Sequence, residues 1–217
     1  MKIILTGATG MVGSEVLKQA LADTEITAVA AIVRKPVPVQ HPKLTTIIRE
    51  NFLDYSNLTE VFKNYDACIW CLGISQLLVT KEEYIVITYD YALAAANAML
   101  KANPSIGFLF LSGAGADSKE KSRTIFARIK GKTENALLKL PFKKFYIARP
   151  AGIKPMQLKR DAKWYEKLLY YTYPFFKLIT PAYVITSEEL AKAMLNVVKN
   201  GYGNTVIENG ELKELVI

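Results

Sequence analysis

Histidine occurs once in this chain, at His41, and cysteine only twice, at Cys68 and Cys71. Structural zinc takes about four Cys or His ligands, so a zinc site is excluded and no metal is expected. The two cysteines form a C-x-x-C, but inside the apolar run ACIWCLG, which reads as a buried strand. Alternation along a strand sends their sulfurs to opposite faces, and the helix N-terminus that activates a redox thiol is missing. Both cysteines therefore read as inert core residues. No run approaches the ~18 apolar residues of a membrane span. The start, from Met1 into KIILTGATG, has no charged segment leading into a cleavable apolar stretch. A cytoplasmic protein with no membrane span is the expectation. Internal repeats and low-complexity linkers are also missing, which leaves residues 1–217 as a single domain.

What is there suits a packed domain. The 217 residues are 51% hydrophobic and 22% charged, with a net charge of +8 that favours polyanions, cofactor phosphates or acidic surfaces. Lys2–Thr6 reads as a strand, followed by GATGMVG and a helix through Val16, Leu17, Ala20 and Leu21. Further strands are expected at 26–33, 44–48, 67–72, 106–111 and 145–148, with helices at 58–64, 81–102 and 124–140. Their continuous apolarity suits strands covered on both faces. The alternation predicts a Rossmann-like, doubly wound α/β fold with a mostly parallel sheet. Ser187, with Glu188 and Glu189 behind it, reads as the cap of a last regular helix, and 205–217 as one or two edge strands.

Residues 150–186 change character, with Trp164, Tyr165, Tyr170, Tyr171, Tyr173, Phe175, Phe176 and Tyr183 crowded together. The plain reading is a helix whose aromatic face packs on the sheet. The alternative is a lid or substrate-side wall, or a docking surface at 164–183 for a protein partner or membrane.

Gly7, Gly10 and Gly13 form G-x-x-G-x-x-G between a strand and a helix, the placement a dinucleotide fingerprint requires. Glycines let the backbone approach a pyrophosphate, and the helix N-terminus offers it N–H groups and positive dipole. Thr9 and Met11 add contacts. The second strand ends in Arg34 and Lys35 where an NAD-binding chain carries a carboxylate, so cations suited to a 2′-phosphate favour NADP(H) over NAD(H). Asp54 in NFLDY reads equally as an adenine acceptor, with Leu53 lining the ring, and as a cap for the next helix. The basic residues from Lys119 to Lys144 are interrupted by Glu120 and Glu134 and lack any nucleic-acid-binding pattern. They read as solvated surface, with no nucleic-acid partner.

Together TGATGMVG, VRKP, the strand leading into CLG, LSGAGAD, Lys130-Gly131-Lys132 and RPAGI resemble the atypical short-chain dehydrogenases related to the Tat-interacting protein, close to nucleoside-diphosphate-sugar epimerase-like NAD(P)H-binding domains. The resemblance covers nearly the whole chain. It implies that Gly7, Thr9, Gly10, Met11 and Val12 hold the pyrophosphate, Arg34 the 2′-phosphate, and Leu72 with Gly73 the nicotinamide-side ribose. It implies Ser112 as the serine that polarises a substrate carbonyl and Lys130 as the lysine that binds the nicotinamide ribose. Pro150 to Ile153 would line the nicotinamide. One position departs: the proton-donating tyrosine expected four residues before the lysine is Phe126. Tyr84, Tyr89, Tyr165 and Tyr183 are the available substitutes, and a shifted register would pair Lys132 with Arg128. Two functions follow. One is an NADP-dependent oxidoreductase or epimerase-like enzyme acting on an unknown small carbonyl or hydroxyl substrate. The other is a catalytically inactive NADPH-binding sensor that signals through a protein partner.

Overall fold

The computed structural model describes residues 1–156, 158 and 164–216, without the side chains of 165, 166, 169, 177 and 181. Its strands are β1 (Lys2–Thr6), β2 (Ala28–Val33), β3 (Leu44–Ile48), β4 (Ala67–Trp70), β5 (Gly107–Leu111), β6 (Phe145–Arg149), β7 (Gly152–Lys154), β8 (Val184–Thr186) and β9 (Val206–Glu208). Its helices are α1 (Met11–Ala22), α2 (Thr59–Lys63), α3 (Lys81–Ile85), α4 (Tyr91–Ala102), α5 (Ile125–Leu138), α6 (Trp164–Ile179), α7 (Ser187–Asn200) and α8 (Asn209–Glu214). A π turn at Val86–Asp90 joins α3 to α4, so the helix expected over 81–102 is continuous but locally widened.

The main sheet runs β3-β2-β1-β4-β5-β6-β9 and every pairing in it is parallel, which is the Rossmann-like arrangement. β2 reads AVAAIV and is buried from its second residue onward, because helices cover both faces. On β1 the alternation sends Ile3 and Leu5 into a core shared with α1 and α7, and Ile4 into one shared with Phe62, Trp70 and the alanines of α4. Ala92, Ala95 and Ala96 are fully buried, letting α4 lie close against the sheet. Cys68 belongs to this second core while Cys71 packs against the first, so the sulfurs occupy opposite faces.

Three expectations are corrected. The cap of α7 is Thr186, whose hydroxyl accepts the Glu189 N–H at 3.1 Å while the Glu189 carboxylate accepts the Thr186 N–H at 2.8 Å. Ser187 instead accepts the Met156 N–H at 3.2 Å. The tail holds one strand, β9, and then turns into α8, because Glu208 and Glu211 close a reciprocal cap there. Finally, α6 is a helix, but its inner face meets the small parallel pair of β7 and β8 rather than the main sheet. The Lys154 ammonium stands 5.0 Å from the Tyr170 ring and 4.9 Å from the Tyr173 ring, while much of the remaining aromatic surface faces outward.

Candidate nucleotide site and active site

Strand order reverses between β1 and β4, so the loops leaving their carboxyl ends part and open a crevice. Gly7 begins the first loop with φ +68°, and a Cβ there would come within 2.5 Å of the Cys71 carbonyl oxygen in the second. A Cβ on Gly13 would sit 2.1 Å from the Gly7 carbonyl oxygen. Side chains at these two positions would run into backbone and force the two loops and α1 apart. Gly10 donates its N–H to the Gly7 carbonyl at 2.8 Å and precedes α1 without a side-chain cap, which leaves helix N–H groups for an anion. The Thr6 hydroxyl accepts the Leu72 N–H at 3.2 Å, tying the two loops together.

A cleft of about 520 Å³ brings Gly7, Thr9 and Gly10 together with Arg34, Lys35 and Phe52. A second, of about 400 Å³, continues past Met11 and Val12 to Ser112, Lys130 and Ile153. Gly10, Leu72 and Gly73 line both, so one groove joins nearly all the residues expected for a dinucleotide. Two do not line it. The Asp54 carboxylate accepts the Ser56 N–H at 2.9 Å, a bond to the backbone two residues on that holds its pKa below the usual value and ties it to the start of the turn at 56–58. Leu53 is exposed, and the buried ring of Phe52, stacked on Tyr91 at 5.6 Å, lines the groove at its Arg34 end instead. Pro150 is buried, and its carbonyl accepts the Ala114 N–H at 2.8 Å, fixing the loop after β5 without reaching the groove.

At the other end, the Ser112 hydroxyl donates to Glu134 Oε1. Glu134 is buried, and Arg149 holds both of its oxygens, with Nε 3.0 Å from Oε1 and Nη2 on Oε2. Arg149 Nη1 reaches Glu208 at 3.0 Å. Lys130, one turn before Glu134 on α5, donates to the Leu111 carbonyl at 2.8 Å and stands 4.7 Å over the Phe110 ring. Burial pulls the Lys130 pKa down to about 8, opposed by the nearby Glu134 and Cys71. Burial likewise pushes the Cys71 thiol up to about 12, which keeps it an inert thiol.

The register of α5 is the expected one. Phe126 stands one turn before Lys130, and a Cβ on Gly113 would come within 2.7 Å of its Cζ, so the ring lies beside the residue that follows Ser112. Lys132 instead sits 4.4 Å over the Tyr89 ring, and Arg128 bonds the Ser122 carbonyl at 2.7 Å. Of the substitute tyrosines, Tyr84 is buried, Tyr89 lies under Lys132, and Tyr183 is exposed; none of these three lines the groove. The Tyr165 side chain lies outside the described residues. In the sequence Glu134 figures only as a break in a basic stretch; its position four residues after Lys130, on the same helix face, is the signal that could have found it.

A family model described as NAD(P)H-binding matches residues 7–155. Leucinostatins biosynthesis cluster protein T of Purpureocillium lilacinum is 32% identical over 164 residues, 72% of this chain, which thereby spans only 60% of that relative's length. Protein FMP52, mitochondrial, of Meyerozyma guilliermondii is 28% identical over 203 residues, covering 90% of this chain and 84% of the relative. Relatives named mitochondrial overturn the expectation of a cytoplasmic location. Among solved structures, Gre2 of Candida albicans in complex with NADPH superposes with a TM-score of 0.71 at 14% identity, over 95% of this chain and 77% of that one. WbmH of Bordetella bronchiseptica in complex with NAD+ gives 0.68 at 16% identity, over 95% and 74%. At that identity the likeness speaks for the fold. No helix among the described residues is long and apolar enough to cross a membrane.

Proposed function

The chain belongs to the NAD(P)H-binding family, and on that premise we propose that it is an NADP(H)-preferring oxidoreductase of the atypical short-chain dehydrogenase kind. It would act on a carbonyl or hydroxyl group of a small substrate, with residues 150–186 of the single domain closing the substrate side. The observation that carries this reading is the pair Arg34 and Lys35 on the groove at the end of β2, with no carboxylate among the described residues that line it there. Two cations there suit a 2′-phosphate and would leave a ribose 2′-hydroxyl without its usual acceptor.

In this reading Gly7, Thr9, Gly10, Met11 and Val12 hold the pyrophosphate, and Leu72 and Gly73 flank the nicotinamide ribose. Lys130 offers that ribose an ammonium, and Ile153 walls off water. The bound nicotinamide supplies or takes up hydride. Ser112 faces the same groove and, with its hydrogen given to Glu134, offers its oxygen as an acceptor to a substrate hydroxyl. Phe126 removes the usual proton donor, which favours one second reading: a dinucleotide-binding protein without turnover that signals through a partner.

Calorimetric titration with NADPH and NADH, on the native chain and on Arg34→Asp, tests the proposal. NADPH should bind at least tenfold tighter, about 1.4 kcal/mol, and the variant should lose that advantage. Equal affinities would end the NADP assignment, and binding of neither nucleotide would end the cofactor role altogether.

A further inference from the structure

Ser112 lies between the groove and the buried ion pair behind it. It lines the groove with Lys130 and Ile153, while its hydroxyl hydrogen goes to Glu134 Oε1. Glu134 is 1% exposed and does not itself line the groove, so a bound molecule reaches the carboxylate through that serine. Arg149 and Lys130 stand beside the carboxylate, and an ionised carboxylate accepts hydrogen bonds without donating them. Toward the groove the serine is thereby fixed as an acceptor. Phe126 has no proton to exchange, and the Lys130 ammonium is turned to the Leu111 carbonyl at 2.8 Å.

We propose that Ser112 and Glu134 form a proton relay that stands in for the missing tyrosine and sets the site to receive an alcohol. The relay rests on the oxidoreductase reading, in which a bound oxidised nicotinamide takes up the hydride. As the carbinol C–H bond gives up its hydride, the substrate O–H bond breaks and its electron pair closes the C=O bond. The freed proton passes to Ser112 Oγ while the serine's own proton passes to Glu134 Oε1. An oxygen whose carbon has lost hydride is that of a protonated carbonyl, a far stronger acid than a carboxylic acid, so a carboxylate is base enough. Arg149 keeps Glu208 as a counter-charge, at 3.0 Å, while Glu134 is neutral. After the product leaves, the same relay in reverse returns the proton to solvent.

The first test needs no nucleotide. Cyclohexanol and cyclohexanone differ at one oxygen, and ligand-observed NMR on the full chain compares them where nothing can react. The native chain should bind the alcohol at least about fivefold tighter, because the ketone sets one acceptor against another. The double variant Glu134→Leu, Arg149→Met removes both charges and frees the serine hydrogen, so the preference should vanish or reverse. Equal binding by the native chain, binding of neither, or a preference that the double variant keeps overturns the proposal. The second test is oxidation of cyclohexanol with NADP+ in mixtures of H2O and D2O. The rate should bend with deuterium content as two moving protons require; a straight line overturns the relay. The double variant should stay at least about 100-fold slower than the native chain even where its melting temperature recovers. Activity that returns with stability would leave Glu134 purely structural, and loss of activity in Tyr165→Phe would give the proton to that tyrosine; either result overturns the relay. NADP+ binding is titrated on the same samples. A chain that binds the alcohol but no nucleotide loses the cofactor reading and the relay with it, whereas one that binds both and oxidises nothing loses the relay alone.

Discussion

The Ser112 hydroxyl gives its hydrogen to the buried Glu134 carboxylate, which Arg149 grips through both oxygens. Glu134 is therefore the keystone between α5 and β6 as well as the group behind Ser112. Glu134→Gln removes the buried carboxylate that Arg149 grips, and a partly buried guanidinium left with only the exposed Glu208 as its counter-charge costs about 3 kcal/mol. In a chain of this size that lowers the melting temperature by about 6–12 °C. The double variant Glu134→Leu, Arg149→Met takes away both charges and should recover most of the loss. A single variant that melts with the native chain would mean the pair contributes nothing to the fold.

Phe126 and Gly113 form a second linked pair. Because a Cβ on Gly113 would meet Cζ of the ring at 2.7 Å, Gly113→Ala should destabilise by about 1–3 kcal/mol, with Phe126→Leu relieving it. Unfolding midpoints in urea for the two single variants and the double measure the coupling. Additive losses would show that the ring and the glycine do not meet. The same contact puts the Phe126→Tyr hydroxyl next to Gly113, the residue after Ser112, and a general acid in reach of a substrate contributes about 10²- to 10⁴-fold. Reduction of a carbonyl panel with NADPH should rise by a factor in that range if Ser112 and Lys130 are competent. Unchanged rates with nucleotide bound would favour the sensor reading.

Much of the nucleotide groove is legible in the sequence because it is local. Gly7, Gly10 and Gly13 sit between an apolar run and a helix period, and Arg34 follows directly on a strand, so chain order alone sets them around one crevice. Glu134 is not legible as a site residue because its partners, Ser112 and Arg149, come from two other segments, and an acidic residue in a basic stretch looks like surface. Asp54 can go either way in sequence, since a carboxylate two residues before Ser56 suits both a cap and an adenine acceptor; only the bond to the Ser56 N–H decides. The α6 aromatics give a helix but not its outer face, because apolar periodicity marks a stripe without saying whether protein covers it. At 205–217 the apolar residues are too few to override the Glu208–Glu211 cap that turns the chain into α8.

Lys130 carries a pH signature. The folded chain releases its proton near pH 8, because burial penalises the ammonium, whereas an unfolded lysine keeps it to about 10.4. Between those values the unfolded state binds more protons, so this residue makes stability rise with pH from about 8 to about 10. Below pH 8 the burial cost is borne in full. Urea midpoints measured across that window for the native chain and for Lys130→Met should diverge in slope, the native chain rising more steeply. Parallel slopes would place the Lys130 proton at an ordinary pKa.

Gly13 separates a nucleotide cradle from an ordinary turn. A Cβ there would lie 2.1 Å from the Gly7 carbonyl oxygen and 2.7 Å from its carbon. These are backbone atoms that cannot swing aside like a side chain, so Gly13→Ala must push α1 away from the β1 loop. A loss of about 2–3 kcal/mol in stability follows, and NADPH affinity should fall by more than about 100-fold as the helix N-terminus leaves the anion's position. Gly203→Ala is the control: a Cβ there meets nothing within 4 Å, and its effect should stay within about 0.5 kcal/mol. Thermal melts together with the quenching or enhancement of NADPH fluorescence measure both quantities on one sample. If Gly13→Ala kept native stability but lost NADPH, the glycine would serve the ligand alone; if it kept both, the close approach of α1 to the loop would not be what binds the nucleotide.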